Sequence, residues 1–349
     1  MAKTNRHPIQ RSRRLLFARI GWMRFYNGSV PGDERPVGGG KYNKSAIGHE
    51  VYNFKQTNSR LYGYFQPTMS SHSVALERID PAASDANELE NVLVVFVARR
   101  PEGGQVIVGW YRDAKVLRSQ AAQSPGKPKG YGHFCSASRH NCVLLPTEKR
   151  SHEIPGGRGG FGQANVCYPL DRQGEAKKAR WIQDALAFID DYTADDILAN
   201  PTADAEQDSA IAAEKALARS KGQGFPRTSS ERRALEDRAM ALAKRHFRKQ
   251  GFRVEDVSAR RPYDLLCKRG AEELHVEVKG TMTDGKAVVL TNNEVKHACN
   301  SGNSCALFVL HSMRLNGKKA SGGKKRVLLP WRIEQAHLTP VSYTYRLLQ

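Results

Sequence analysis

From Glu273 to Lys279 the chain alternates polar and apolar positions: Leu274, Val276 and Val278 fall on one side, His275, Glu277 and Lys279 on the other. That period of two predicts a half-buried strand whose valines enter a core. The stretch ERRALEDRAMALAKRHFRKQGF instead repeats at helical spacing. Leu235, Ala239 and Leu242 line one stripe, with Met240, Ala243 and Phe247 beside it. Thr228 and Glu231 form a capping-box pair that starts this helix. FRVEDVS, YDLLCKR and ELHVEVKGT predict three strands, and AVVLT at 287–291 a fourth. A second capping box, Thr291 to Glu294, opens the helix NNEVKHACN, and the apolar run CALFVLHSM predicts a closing strand. Helix, strands, helix, strand in this order predict a compact α/β unit.

Upstream the pattern is different. LLFARIGWM, RLYGYF, VLVVFVA, QVIVGWYRDAKVL, NCVLLP and ANVCYPL are short apolar runs separated by Gly- and Pro-rich turns. They predict a mostly β barrel or sandwich, with FARIGWMRFY as the first strand after a basic arm. Between the two halves, AKKARWIQDALAFIDDY places Trp181, Ala185, Phe188 and Ile189 at helical spacing, and DAEQDSAIAAEKALARSK is Ala-rich and helix-prone. The expected organisation is α+β. A β-rich domain spans 1–172, a helical connector 173–227, and an α/β domain with a central mixed sheet 228–349.

Charge narrows the function. A formal net charge of +20 over 349 residues implies a polyanionic partner, with double-stranded DNA the expectation. The six cysteines do not form a disulfide framework in a chain this long, which fits a reducing cytoplasm. No stretch approaches the roughly 20 apolar residues of a membrane span. No G-x4-GK-[ST] phosphate loop occurs, so any nucleotide-driven step would need a separate ATPase.

The strand carries candidate chemistry. Glu277 and Lys279 are neighbours on one face, and Asp264 opens the adjacent strand, within reach of Glu277 across a hairpin. Converging carboxylates favour a hard cation such as Mg²⁺, which stabilises charge on a phosphodiester and lowers the pKa of a bound water. These residues resemble the PD-(D/E)XK motif of restriction endonucleases, with Asp264, Glu277 and Lys279 as D…E-x-K. EDVSARRPYDLLC…ELHVEVKGT…VVLTNNEVKHA is similar to the domain named after the C-terminus of the plant protein NO VEIN. The resemblance implies a restriction-endonuclease-like fold and a Mg²⁺-dependent endonuclease. Asp264 and Glu277 would ligate the metal, Lys279 would stand beside the attacking water, and Glu236 on the first helix would add an acid. Tyr263 separates Pro262 from Asp264, so the PD dipeptide is not literal. For Glu294, at the third position of its capping box, helix capping is the expected role.

The β-rich half is the expected DNA reader. Gly-aromatic pairs, among them Gly21-Trp22 and Gly109-Trp110-Tyr111, suit stacking on an extruded base, and QVIVGWYRDAKV resembles a strand of EVE/PUA-like folds that read modified bases. Trp22, Trp110 and Tyr111 are therefore candidate DNA contacts. GKKASGGKKR at 317–326 reads as a hairpin tip whose Lys318, Lys319, Lys324 and Lys325 run along phosphates. His133, Cys135, His140 and Cys142 have residue types that suit zinc but lack C-x2-C spacing, and zinc binding there stays open. The expected activity is restriction of modified foreign DNA. The alternatives are an enzyme for unmodified DNA with a partner methylase, and an inert nucleic-acid-binding module. Cutting both strands from one site per chain implies a homodimer or two successive nicks.

Overall fold

The structure, a computed structural model, describes residues 14–30, 33–38, 48–67, 72–157, 159–171, 173–177, 179–194, 196–198, 203–220, 225–226, 228–300, 302–317 and 319–339. The expected basic arm up to residue 13 lies outside them. The chain forms two compact units, one running to Asp190 with Asp196–Ala199, the other taking Asp191–Asp195 and Asn200 onward. The fold is α+β with mixed sheets, and four α-helices are seen among the described residues.

The first unit is built on β1 (Leu15–Ile20), β2 (Gln56–Thr57), β3 (Arg60–Gly63), β4 (Glu88–Arg99), β5 (Gln105–Ala121), β6 (His133–Ser138), β7 (Cys142–Leu144) and β8 (Val166–Cys167). They form one sheet in the order β2-β3-β6-β5-β4-β1-β8, with β7 also on β5. β1 runs parallel to β4; the other pairings are antiparallel. The mostly β expectation takes the form of one sheet whose path stays open among the described residues. The middle of β4, Val92–Ala98, is buried throughout, which is why it reads as an unbroken apolar run. In α1 (Arg180–Asp190), Ile182, Ala185, Phe188 and Ile189 are buried, while the expected Trp181 is only half-buried and donates to Gly159 O.

The second unit begins with α2 (Ala203–Ser220) and α3 (Ser229–Lys249). β9 (Arg253–Asp256), β10 (Leu265–Arg269), β11 (Glu272–Gly280), β12 (Cys305–Asn316) and β13 (Lys319–Leu328) follow, with α4 (Asn292–Cys299) between β11 and β12. The sheet order is β13-β12-β11-β10-β9, with β11 and β12 parallel and the rest antiparallel. One face packs against α3: Leu235, Ala239 and Phe247 meet Leu265, Leu274, Val276 and Phe308. A Cβ on Gly280 would stand 2.8 Å from Leu235 O, so only glycine lets α3 lie this close to the end of β11.

Two expectations change here. AVVLT at 287–291 forms no strand; it is an extended lead into the Thr291 cap of α4. GKKASGGKKR is not a hairpin tip, because the chain turns at Gly317 and Lys319 already pairs with Asn316 in β13. Lys318 lies outside the described residues.

Candidate active site

Strict alternation along β11 sends its valines to α3 and leaves His275, Glu277 and Lys279 on the opposite face, toward α4. Antiparallel pairing of Leu265 with Val276 brings Asp264 to the same place. Its backbone N–H donates to Val276 O at 3.1 Å, and its Oδ2 accepts the Val278 N–H at 2.8 Å. The Asp264 carboxylate is thereby clipped to the backbone between Glu277 and Lys279. Glu277 is only 5% exposed. Lys279 Nζ stands 2.9 Å from Glu277 Oε1 and 2.7 Å from Glu294 Oε2. Glu294 also closes its capping box, since Oε2 accepts the Thr291 N–H at 3.0 Å. One carboxylate therefore caps α4 and holds the lysine.

Acids outnumber the base in this pocket, and the titration behaviour follows. Burial, then Asp264 and Glu294, push Glu277 well above the ordinary carboxylate range, against the opposing pull of Lys279. Burial alone would lower Lys279, but Glu277, Glu294 and Asp264 outweigh it and raise the ammonium well above its ordinary value. Lys279 thus stays charged, and Glu277 still favours a further proton or cation.

Glu236, one residue past the buried Leu235 on α3, remains open to solvent yet is crowded from the protein side. Loss of surrounding water raises its pKa, opposed by Arg232 and Lys279. Glu214 on α2, which sequence reasoning missed, behaves likewise. Burial raises it, Lys279 and Arg232 lower it, and Glu236 and Glu294 raise it again. Both acids reach the electrostatic field of Lys279. The Ala-rich run around Glu214 signalled a helix but not the side it would turn toward the strand.

Residues 235–322 match the family model described as Protein NO VEIN, C-terminal. No curated protein and no solved structure matches the chain. The matched span runs from α3 into β13 and includes Glu236, Asp264, Glu277, Lys279 and Glu294. The matched segment and the acid–lysine cluster thus coincide.

In the first unit two of the three stacking candidates are buried. Trp110 is 1% exposed and Tyr111 is fully buried, its hydroxyl donating to Asn53 O; neither ring can reach a base without opening the core. Trp22 is half-buried and committed to Arg150, whose guanidinium lies 5.0 Å from its ring. Four half-buried rings lie together: His49 is 4.7 Å from Tyr64 and 4.9 Å from Tyr131, which is 5.1 Å from Tyr52. Beside them Lys127 donates to Tyr62 O, and burial lowers its amine to about 7.

His133, Cys135, His140 and Cys142 do not gather as a metal set among the described residues. Cys135 donates to Gly63 O, with burial pushing its thiol up to about 12, and Cys142 donates to Ser138 O. His133, lowered to about 4 by burial and then Lys127, instead bonds Ser124. Lys319, Lys324 and Lys325 are exposed on β13, an edge strand, although Lys325 Nζ also lies 3.2 Å from His246 Nδ1.

Proposed function

We propose that the second unit is a Mg²⁺-dependent phosphodiesterase that cuts DNA, and that the chain acts as a restriction-type endonuclease on modified foreign DNA. One observation carries this reading. Two carboxylates and a lysine, Asp264, Glu277 and Lys279, are brought onto a single strand face, with Glu277 buried at 5% exposure. A structural ion pair needs no further acids, and crowding Asp264 and Glu294 against the buried Glu277 beside one lysine is costly unless a cation joins them.

The donor set fits Mg²⁺: it is all carboxylate oxygen, and two protein ligands suffice for an ion that keeps several waters. Asp264 and Glu277 would hold the ion, which when bound would polarise the phosphate and make a water acidic. The chain's own groups do the rest. The Val278 N–H fixes the Asp264 carboxylate. Lys279, held as an ammonium by Glu277 and Glu294, can donate a hydrogen bond to the attacking water or to a phosphate oxygen and balance the charge that develops there. A cation beside Glu277 would free Lys279 from that pairing. Glu236 and Glu214, whose carboxyls feel the charge of Lys279, would be the further acids available to the site. In-line attack on phosphorus expels the 3′ oxygen and leaves a 5′-phosphate. The reading of modified bases rests on the cluster of His49, Tyr52, Tyr64 and Tyr131, whose rings can stack on a base.

The test is cleavage of matched phage DNAs carrying plain, methylated, hydroxymethylated or glucosylated cytosine, with Mg²⁺ or EDTA, using wild-type and Lys279→Ala protein. Cutting of modified DNA alone, lost in EDTA and in the variant, is the expected result. Equal cutting of plain DNA removes the modification reader and keeps the nuclease. Binding with no cutting of any substrate overturns the nuclease.

A further inference from the structure

The face of β11 that carries Glu277 and Lys279 begins with His275, and a second constellation gathers around that ring. His275 Nδ1 lies 3.0 Å from His297 Nε2 on α4. Cys305 opens β12 and is the register partner of His275 in the parallel pair, so its side chain emerges on the same face. Ligand atoms of His275, His297 and Cys305 all lie within 4.8 Å of one another, and no other group of three His, Cys, Asp or Glu does so among the described residues. We propose that His275, His297 and Cys305 form a binding site for a borderline-soft transition cation of the Zn²⁺ type, separate from the carboxylate site for Mg²⁺.

Three features of the surroundings support this. First, the donors are two imidazoles and a thiol, a set that selects zinc or a similar ion over magnesium. With metal–nitrogen bonds of about 2.0–2.1 Å and a metal–sulfur bond of about 2.3 Å, tetrahedral ligands lie roughly 3.3–3.6 Å apart, so movements of about an ångström would close the site. Second, the outer nitrogen of His275 meets a carboxylate, while that of His297 meets an amide. Glu273 Oε1 lies 3.1 Å from His275 Nε2, and Asn303 Nδ2 lies 3.3 Å from His297 Nδ1. A carboxylate on the far nitrogen is what orients a ligating histidine and raises its basicity. Third, Tyr263 stacks on both rings, with centroids 4.1 Å from His275 and 4.8 Å from His297, which sets their planes. A hollow of about 330 Å³, lined in part by Pro262, Asn293 and Lys296, lies against His297.

Without metal, one proton bridges His275 and His297, and Cys305 is a thiol. On binding, the cation takes the place of that bridge: the bridging proton moves to His297 Nδ1, from which the Asn303 amide nitrogen turns away, and the Cys305 proton passes to solvent as the thiolate coordinates. Three protein ligands leave a fourth position for water. The ion would tie α4 to β11 and β12. Glu294, three residues before His297 on α4, is the acid that holds Lys279, so the proposed metal would brace the catalytic lysine's partner.

The experiment uses the full chain, stripped of metal and titrated with Co²⁺. One equivalent should produce the near-ultraviolet thiolate-to-cobalt charge-transfer band together with visible bands of a tetrahedral ion. Zn²⁺ should displace it, and millimolar Mg²⁺ should not. Cys305→Ser should abolish the charge-transfer band. Cys299→Ser, which changes the one exposed cysteine, should keep it. Glu273→Gln should weaken Co²⁺ binding about 10- to 100-fold. A wild-type protein that gives no thiolate band at stoichiometric Co²⁺ overturns the proposal, whether or not any variant folds. A band that survives Cys305→Ser also overturns it. The readout is spectroscopic, so its failure is distinct from a failure to cut DNA.

Discussion

Glu277 carries a carboxylate that burial, Asp264 and Glu294 all press toward its neutral form. A folded-state pKa raised above the ordinary value of 4.5 has a definite sign in the linkage between pH and stability. The metal-free fold gains most from Glu277 below that ordinary value and loses the gain as pH rises through the folded value. Glu277→Gln is therefore expected to raise the melting temperature of the metal-free protein at neutral pH and flatten its pH dependence. It should also lower cleavage by about 100-fold or more, if the side chain helps bind the ion and water. Thermal melts from pH 4 to 8 in EDTA, beside a nicking assay, check both halves. In the first unit, Trp110→Ala is expected to cost about 3–5 kcal/mol, because the ring fills core rather than contacting DNA. A normal denaturation midpoint with selectively weakened DNA binding would restore Trp110 as a reader.

Helices and strands place these side chains through a few backbone positions. Gly280 lets α3 pass over the end of β11, and a Cβ there would stand 2.8 Å from Leu235 O and 3.0 Å from Ala239 Cβ. Gly280→Ala is expected to destabilise the second unit by about 1–3 kcal/mol. Because α3 also carries Glu236, cleavage should fall more than stability alone explains; denaturant melts and initial rates on one preparation decide this. The cap of α4 links fold to site as well. Thr291→Ala removes the side chain that accepts the Glu294 N–H, at a cost of about 1 kcal/mol. It also loosens Glu294 against Lys279, so a raised Mg²⁺ requirement for cleavage is the expected outcome. Both caps and the alternation of β11 were legible from sequence, since each depends on residues within a few positions of one another. The failure of AVVLT to form a strand was not legible: it has strand-forming residues, but both sides of β11, the strand before it, are already taken by β10 and β12.

Over the entire chain, the excess of +20 is a sequence-level property that points to a polyanion. Binding to duplex DNA is expected to weaken steeply with salt. Replacing Lys319, Lys324 and Lys325 by Gln should reduce the slope of log affinity against log salt by about one for each phosphate that these lysines neutralise. Fluorescence titrations from about 50 to 200 mM salt measure it; an unchanged slope would mean these lysines guard an exposed strand edge instead. Among the described residues no helix is long and apolar enough to cross a membrane.

Composition, periodicity and capping residues were enough to place the α/β unit near the C-terminus, to orient β11 and to single out Asp264, Glu277 and Lys279. Those signals are local, or are carried by a hairpin whose pairing follows from alternation. Which aromatics are buried, that Glu214 and Glu294 share the field of Lys279, and that His275, His297 and Cys305 converge were settled in three dimensions. Each of those depends on which faces of separate elements meet, and burial or long-range approach leaves no fixed spacing in a single chain.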